Sequence, residues 1–345
     1  MFYFDTSRDG KPVYDPIINQ SLDNYLMNDL ALPGRGLMLY INAPCVIIGK
    51  NQNAYAEVDM SYMHEHDITL VRRNFGGGAV FHDYGNLIFE NIIVDEEGSD
   101  SHFGDFGYYA EPIMTALKKM GLAGVAMSGR NDIAVNGAKI SGMCMSQTGN
   151  VVGAGGTLLF DLDGSVAKKV LTPNQAKLHA KGIKSVDKRI TNLKPLLPEP
   201  YGGMNSLEFK EALLKKIFAV DDLADMPTYK LTDEDWAIID ERVAKHYGTK
   251  AWNYGKNPGY KYYVTDYFTG TGTVSFNFSV EDGKIVAFKT YGDMLFGDVS
   301  AVDDVLTGTG FNKAALEEAF KACQSEKNIG NIPVSDLADL VLSAQ

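Results

Sequence analysis

The dipeptide Asn136-Gly137 constrains the fold of this chain more than any other feature of its sequence. Both residue types accept positive φ, and alternating side chains flank them, which together give the strongest short-range signal for a two-residue β-hairpin. The spacing predicts that Asp132 pairs with Ser141 and that Lys139 lies on the same face of the sheet. A lysine held beside a carboxylate and a hydroxyl is a candidate site cation. The alternative interpretation is an ordinary solvated strand face.

The other predicted elements favour an α+β fold. Strands and helices are mixed, with hairpins in place of regular βαβ repeats, so we expect a mainly antiparallel sheet with flanking helices. Helix starts are predicted at Ser21 and Thr172, which are suitable N-caps. Gly, Asn and Pro cluster over residues 252–260, as expected for a linker or hinge. We therefore predict a large domain over residues 1–250 and a small C-terminal α+β domain over residues 258–345.

Charge and cysteine usage exclude several classes of protein. The net charge of −12 argues against non-specific nucleic-acid binding, which needs clustered Lys and Arg. Cys45, Cys144 and Cys323 are spaced too widely and irregularly for a disulfide framework or a zinc site. We find neither a signal-peptide pattern nor the roughly 18 apolar residues of a membrane span. We expect a cytoplasmic protein that is a monomer and binds neither nucleic acid nor membrane.

The segment RRNFGGGAVFHDYGN, residues 72–86, is typical of an anion-binding loop. Three glycines after a predicted strand let backbone N–H groups approach a phosphate or carboxylate closely. Arg72 and Arg73 precede the glycines and can make charge-assisted contacts to the same anion. His82 and Asn86 follow, and either contact a ligand or only hold the loop. The alternative is a tight turn beside two solvated arginines, and the P-loop and dinucleotide-binding patterns are absent.

Two arginines, one fixed lysine and a glycine-rich loop suit the activation of a carboxylic acid by ATP. The carboxylate of the substrate attacks the α-phosphate, so the protein has to align the reactants and neutralise their charge rather than supply a nucleophile. Lys139 would bridge the α-phosphate and the carboxylate. Mg²⁺ would assist the departure of pyrophosphate, with Asp132 as a candidate ligand.

Three blocks, in order along the chain, resemble the lipoate-protein ligase family: RRNFGGGAVFHDYGN, SGRNDIAVNGAKISG from Ser128 and KGIKSVDKRITNL from Lys181. The resemblance implies a fold shared with biotin ligases and distantly with class II tRNA synthetases. It implies that lipoate and ATP form lipoyl-AMP, and that the lipoyl group then passes to a lysine of a lipoyl domain of a 2-oxoacid dehydrogenase complex or of the glycine-cleavage H protein. Where many relatives have a histidine, this chain has Gly155-Gly156.

The residues and the resemblance together give candidate contacts for two ligands. Those for ATP or the adenylate are Arg73, Gly78, Ala79, Val80, Phe81, Asp132 and Lys139. Those for lipoate are Arg72, Gly76, Gly77, His82, Asn86, Ser141 and Lys139, which is also the predicted catalytic residue. One alternative is an octanoyl or lipoyl transferase of the same fold, which works without ATP and would use Cys144 as a nucleophile. Another is a lipoate-binding module without catalytic activity.

Overall fold

A computed structural model of the chain describes residues 1–95, 102–172, 190–255 and 259–344. In chain order, the strands of its first domain are β1 (Phe2–Asp5), β2 (Ser7–Arg8), β3 (Lys11–Pro12), β4 (Gly34–Ile41), β5 (Cys45–Ile48), β6 (Thr69–Arg72), β7 (Val80–His82), β8 (Asn86–Val94), β9 (Val125–Ser128), β10 (Asp132–Val135), β11 (Ala138–Thr148), β12 (Val151–Leu159) and β13 (Thr228–Lys230). The helices of this domain are α1 (Pro16–Tyr25), α2 (Ala54–Glu57), α3 (Met60–Glu65), α4 (Phe106–Lys119), α5 (Gly164–Val170), α6 (Ser206–Phe218), α7 (Asp233–Arg242) and α8 (Lys250–Asn253).

Eight of these strands form one sheet, in the order β13-β1-β4-β8-β12-β11-β10-β9. Strand β1 pairs in parallel with β4 and β13, and every other neighbouring pair is antiparallel. The prediction of a mainly antiparallel sheet is therefore confirmed. A second sheet, β6-β5-β7, holds both ends of residues 72–80, the glycine segment, because β6 ends at Arg72 and β7 begins at Val80.

Alternation along the strands places apolar side chains on both faces of the large sheet, and helices cover both. Phe89 belongs to the core beneath α4 and α6, whereas its neighbour Ile88 belongs to the core beneath α1 and α7. Helix α1 begins at Pro16, and the side chain of Asp15 accepts a hydrogen bond from the amide of Ile17 at 2.8 Å. The prediction of a cap at Ser21 was wrong: this residue lies within α1, is buried, and donates its hydroxyl to a backbone carbonyl.

The Asn136-Gly137 hairpin forms, with positive φ at both turn residues. Its register differs from the prediction, because a bulge leaves Ile140 without a partner in the ladder. Ser141 then lies opposite Ile133, and Gly142 lies opposite Asp132. A bulge inserts one extra residue and reverses the facing of the residues beyond it. Ser141 is therefore on the core face of the hairpin, and Gly142 takes the place beside the carboxylate that we predicted for the serine.

The C-terminal domain is a compact α+β unit, as predicted. Its antiparallel strands are β14 (Tyr262–Phe268), β15 (Gly272–Glu281) and β16 (Lys284–Gly292), and its helices are α9 (Ser300–Leu306), α10 (Lys313–Ala322), α11 (Ser325–Asn328) and α12 (Val334–Leu342). Phe276, Phe278 and Phe320 are fully buried in a core of its own. The helix predicted from Thr172, and most of the block from Lys181, lie outside the described residues. Over the parts of the chain that are described, no helix is long and apolar enough to cross a membrane.

Candidate active site

A cavity of about 520 Å³ lies where the large sheet, the glycine segment and the C-terminal domain meet. The hairpin contributes Asp132 and Lys139 to its wall, and the glycine segment contributes residues 77–80. The C-terminal domain closes one side with Tyr267 and Leu295. The structure thus brings together two of the sequence blocks that are far apart along the chain.

Lys139 is held in this cavity by segments that neighbour its strand. Its Nζ atom lies 2.7 Å from Oδ1 of Asp132, and its backbone carbonyl accepts a hydrogen bond from the amide of Thr191 at 2.9 Å. The ammonium group also lies against the backbone of Gly142, where a Cβ atom would be only 2.7 Å from Nζ. A cation therefore stands at a defined position on the cavity wall, partly exposed to whatever ligand enters.

Arg73 lines the cavity and also holds the shape of the glycine segment. Its Nη2 atom donates to the carbonyl of Gly76 at 2.7 Å and to that of Gly78 at 2.9 Å. Between these two residues Gly77 has a φ of +96°, which glycine adopts without strain. The amide of Gly77 donates to the carbonyl of Met294 at 3.0 Å, so the C-terminal domain contacts the segment directly.

Arg72 does not line the cavity, although it stands next to Arg73 in sequence. Its guanidinium group is buried and donates to five backbone carbonyls, those of Gly49, Lys50, Gln52, Trp252 and Asn253. Burial lowers the pKa of this guanidinium to about 10, which leaves it charged at neutral pH. Arg72 therefore ties the loop after β5 to helix α8, and the geometry does not support the predicted lipoate contact.

His82 lines the cavity as a neutral imidazole. Burial, followed by the charge of Arg73, lowers its pKa to about 3. The side-chain amide of Asn19 donates to the oxygen of Asn42, so the nitrogen of Asn42 donates to Nδ1 of His82 at 3.1 Å. The proton of the imidazole is then on Nε2, which has no hydrogen-bond partner among the residues that the structure describes. His82 thus offers one buried N–H donor beside the cavity.

Four other predicted contacts are absent from the cavity wall. Gly76 is covered by the C-terminal domain, because a Cβ atom there would be 2.2 Å from the carbonyl oxygen of Met294. Phe81 packs in the core beneath α3 and α5, and Asn86 is buried at the start of β8. Ser141 faces the core because of the bulge.

Polar residues that the sequence analysis did not predict also line the cavity, among them Gln20, Asp23 and Glu90. Asp23 and Glu90 are 3% and 5% exposed. One signal for Glu90 was present, since it is a charged residue inside the otherwise apolar strand LIFENIIV. Asp23 carried no such signal, because a helix beginning at Ser21 would have exposed it in the first turn.

Cys144 lies on the cavity wall as a free thiol. Burial raises its pKa to about 12, although Arg73 partly offsets the effect. A thiol with this pKa is un-ionised at neutral pH, and the thiolate is the nucleophilic form. His82 is a poor base for it, because its Nδ1 atom is occupied and its Nε2 atom carries the proton. The geometry therefore disfavours the transferase alternative.

Within the described residues, no group of three or more His, Cys, Asp or Glu side chains could hold a metal ion by itself. A Mg²⁺ ion that accompanies a nucleotide needs less, since one or two carboxylates and the phosphate oxygens commonly bind it. The carboxylate of Asp132, which lines the cavity, fits that mode of binding.

Two protein-family models match the chain. The lipoyl protein ligase A/B catalytic domain matches residues 15–218, and the bacterial lipoate protein ligase C-terminus matches residues 257–341. The sequence is 38% identical to lipoate–protein ligase 1 of Staphylococcus aureus over 330 residues, which cover 95% of this chain and 97% of that protein.

Solved structures show the same fold. The crystal structure of P. falciparum LipL1 in complex with lipoate is similar with a TM-score of 0.73 at 24% identity, covering 99% of this chain and 97% of the other. That of lipoate-protein ligase A bound with ATP has a TM-score of 0.57 at 22% identity, covering 70% and 94%. These likenesses confirm the predicted fold class.

Proposed function

The chain belongs to the lipoate-protein ligase family, and we propose that its cavity first joins lipoate to AMP and then releases the lipoyl group to a lysine of an acceptor protein. The observation that carries this proposal is the position of Lys139. Its ammonium group, paired with Asp132, shares one cavity with Arg73 and the glycine segment. A fixed cation beside a glycine-rich loop suits a reaction between two anions, here a carboxylate and a phosphate.

In the first step, a carboxylate oxygen of lipoate attacks the α-phosphorus of ATP, and the bond to pyrophosphate breaks. Both reactants are anionic, so a preorganised cation where their charges converge lowers the barrier. We assign this part to Lys139, with Arg73, Asp132 and residues 78–80 beside the nucleotide and Gly77 and His82 beside lipoate. Mg²⁺, bound with the nucleotide through Asp132, would neutralise charge on the leaving pyrophosphate.

In the second step, the amine of the acceptor lysine attacks the acyl carbonyl, an amide forms, and AMP leaves with the bonding electron pair. The attacking amine has to lose a proton, and the phosphate of departing AMP can accept it. We propose that the acceptors are lipoyl domains of 2-oxoacid dehydrogenase complexes and the glycine-cleavage H protein, and that the reaction takes place in the cytoplasm. The two-domain division at residues 250–258 belongs to the same proposal.

The test is lipoate-dependent exchange of pyrophosphate into ATP by the Lys139→Ala variant. Removing one preorganised donor from such a site costs about 10²–10³ in rate, so exchange should fall by that factor while the thermal unfolding curve stays in place. Lys194→Ala is the matched control, because Lys194 also forms a 2.7 Å ion pair, with Asp161, but lies outside the cavity. Undiminished exchange in Lys139→Ala would refute the assignment of Lys139.

A further inference from the structure

The wall of the cavity includes a pair of buried carboxyl groups, those of Asp23 and Glu90, that the reaction with ATP does not use. Oδ2 of Asp23 accepts a hydrogen bond from the side chain of Gln20 at 2.9 Å. Oδ1 of Asp23 and Oε1 of Glu90 are buried and have no hydrogen-bond partner among the described residues. Both side chains line the cavity. Buried polar atoms normally have partners, so two such oxygens at one place in the cavity wall indicate where a polar group of a ligand can bind.

The packing around Glu90 leaves space for its carboxyl group. Gly155 lies opposite Glu90 in the β8–β12 ladder, and a Cβ atom at that glycine would be 2.2 Å from Oε2 of Glu90. At Gly153, two residues along the same strand, a Cβ atom would be 3.2 Å from Oε1. The carboxyl group of Glu90 therefore occupies room that side chains on β12 would fill.

The carboxyl pair and Lys139 are separated by roughly the length of an acyl chain. Cys144, Gly155 and Glu90 lie in line across β11, β12 and β8, and Gly142, which touches the Lys139 ammonium, is two residues before Cys144. With about 4.8 Å between strands and about 3.3 Å per residue along them, the backbones of Gly142 and Glu90 are about 12 Å apart. An extended eight-carbon acid whose carboxylate is at Lys139 would place its far end near Glu90.

Both carboxyl groups bind a proton more tightly than an exposed carboxyl group does. Burial raises the pKa of Asp23 to about 7, and burial together with the charge of Asp23 raises the pKa of Glu90 well above its ordinary value. A protonated carboxyl group has an O–H donor and an acceptor oxygen. The two carboxyl groups can therefore donate hydrogen bonds to a polar group and accept them from it. An acyl chain that ends in a methyl group would leave their oxygen atoms unpaired.

We propose that Asp23 and Glu90 determine which acid the site accepts, by favouring an acyl chain that ends in hydrogen-bonding sulfur over a plain alkyl chain of the same length. The proposal rests on the proposed function and adds to it a choice of lipoate over octanoate. Sulfur is a weak hydrogen-bonding group, so the effect should be moderate. We expect a contribution of about tenfold in relative affinity, equivalent to about 1.4 kcal/mol.

The experiment measures binding of lipoate and octanoate to the full chain by calorimetry, and compares wild type with Glu90→Met and Glu90→Gln. Methionine has a similar length and no strong hydrogen-bonding group, whereas glutamine keeps a donor and an acceptor. The ratio of the two affinities should fall about tenfold in Glu90→Met and stay near the wild-type value in Glu90→Gln. Because methionine and glutamine both have about the length of glutamate, the difference between the ratios of the two variants reports polarity rather than size.

A second measurement uses the wild-type protein alone, in case Glu90→Met does not fold. Octanoate with a hydroxyl group on its last carbon should bind more tightly than octanoate itself. Equal affinity of these two acids, or an unchanged ratio in a folded Glu90→Met variant, would overturn the proposal. Failure of the proposed function would look different, since wild type would then support no ATP–pyrophosphate exchange with any of the acids.

Discussion

Replacing Gly142 by alanine tests whether the position of the Lys139 ammonium group, and not only its charge, is needed for adenylate formation. A Cβ atom at residue 142 would be 2.7 Å from Nζ of Lys139, 3.0 Å from Cε and 3.6 Å from Oδ1 of Asp132. Favourable contacts between carbon atoms lie at about 3.5–4.0 Å, so the ammonium group has to move by about 1 Å. The charge of the site stays the same.

The expected loss of rate is large compared with the expected loss of stability. A displacement of about 1 Å in a positioned catalytic group can cost about 10² in rate. The side chains of the Lys139–Asp132 pair are 29% and 12% exposed, and an ion pair that solvent reaches is worth about 1 kcal/mol at most. Gly142 does not have a positive φ, so its backbone accepts alanine without strain. We therefore expect a folded protein with roughly one hundredth of the wild-type activity.

The assay is lipoate-dependent ATP–pyrophosphate exchange, with thermal unfolding measured on the same preparation. Gly164→Ala is the matched control, because no atom of the described residues lies within 4 Å of a Cβ built at Gly164 and its φ is not positive. This control should exchange at the wild-type rate. If Gly142→Ala exchanges as fast as Gly164→Ala, the site tolerates a displaced ammonium group, and the argument from the position of Lys139 fails.

Three further predictions concern residues around the cavity. Arg72→Lys should lower the free energy of unfolding in urea by about 2–4 kcal/mol, because lysine cannot satisfy five buried carbonyls; a loss below 1 kcal/mol would contradict this role. Cys144→Ser should keep most of the lipoylation of a lipoyl domain, measured by mass, and complete loss would revive the nucleophile hypothesis. The pKa of His82 is about 3 when folded and about 6.5 when unfolded, so the unfolded chain binds more protons between these values and acid destabilises the protein. The His82→Gln variant lacks this effect, so between pH 7 and pH 5 the free energy of unfolding should fall by about 2 kcal/mol more in wild type than in the variant. Equal decreases in the two proteins would show that His82 is not buried as a neutral group.

The arginine pair shows why the sequence predicted the site only in part. Arg72 and Arg73 are equivalent in the sequence, and both were predicted to bind the anion. Arg72 ends β6 and Arg73 continues its pairing with β5 through a hydrogen bond to Ile48, so their side chains point to opposite sides as in a strand. Arg73 faces the cavity, whereas Arg72 faces the loop after β5 and helix α8. Those partners are 20 and 181 residues away along the chain, which no local pattern contains.

The hairpin was predictable at its turn and not beyond it. Asn136-Gly137 has the conformation that its residue types favour, and the pairing of Ala134 with Lys139 follows from the turn. The bulge at Ile140 turns Ser141 inward and brings Gly142 to the cavity. It depends on how the whole strand packs and not on the residues of the turn. The prediction of Lys139 on the cavity face did not depend on the bulge, whereas that of Ser141 did.

The contacts of Arg72 also bear on the hinge predicted over residues 252–260. Trp252 and Asn253, which open the segment predicted as a hinge, are fastened to the first domain through this one guanidinium group and through the amide of Arg72, which donates to the side chain of Asn253 at 2.8 Å. A rotation of the C-terminal domain would therefore pivot on the far side of Asn253. Such a rotation would lift Met294 off the glycine segment and leave Arg72 in place, so a movable wall of the cavity would meet a fixed segment.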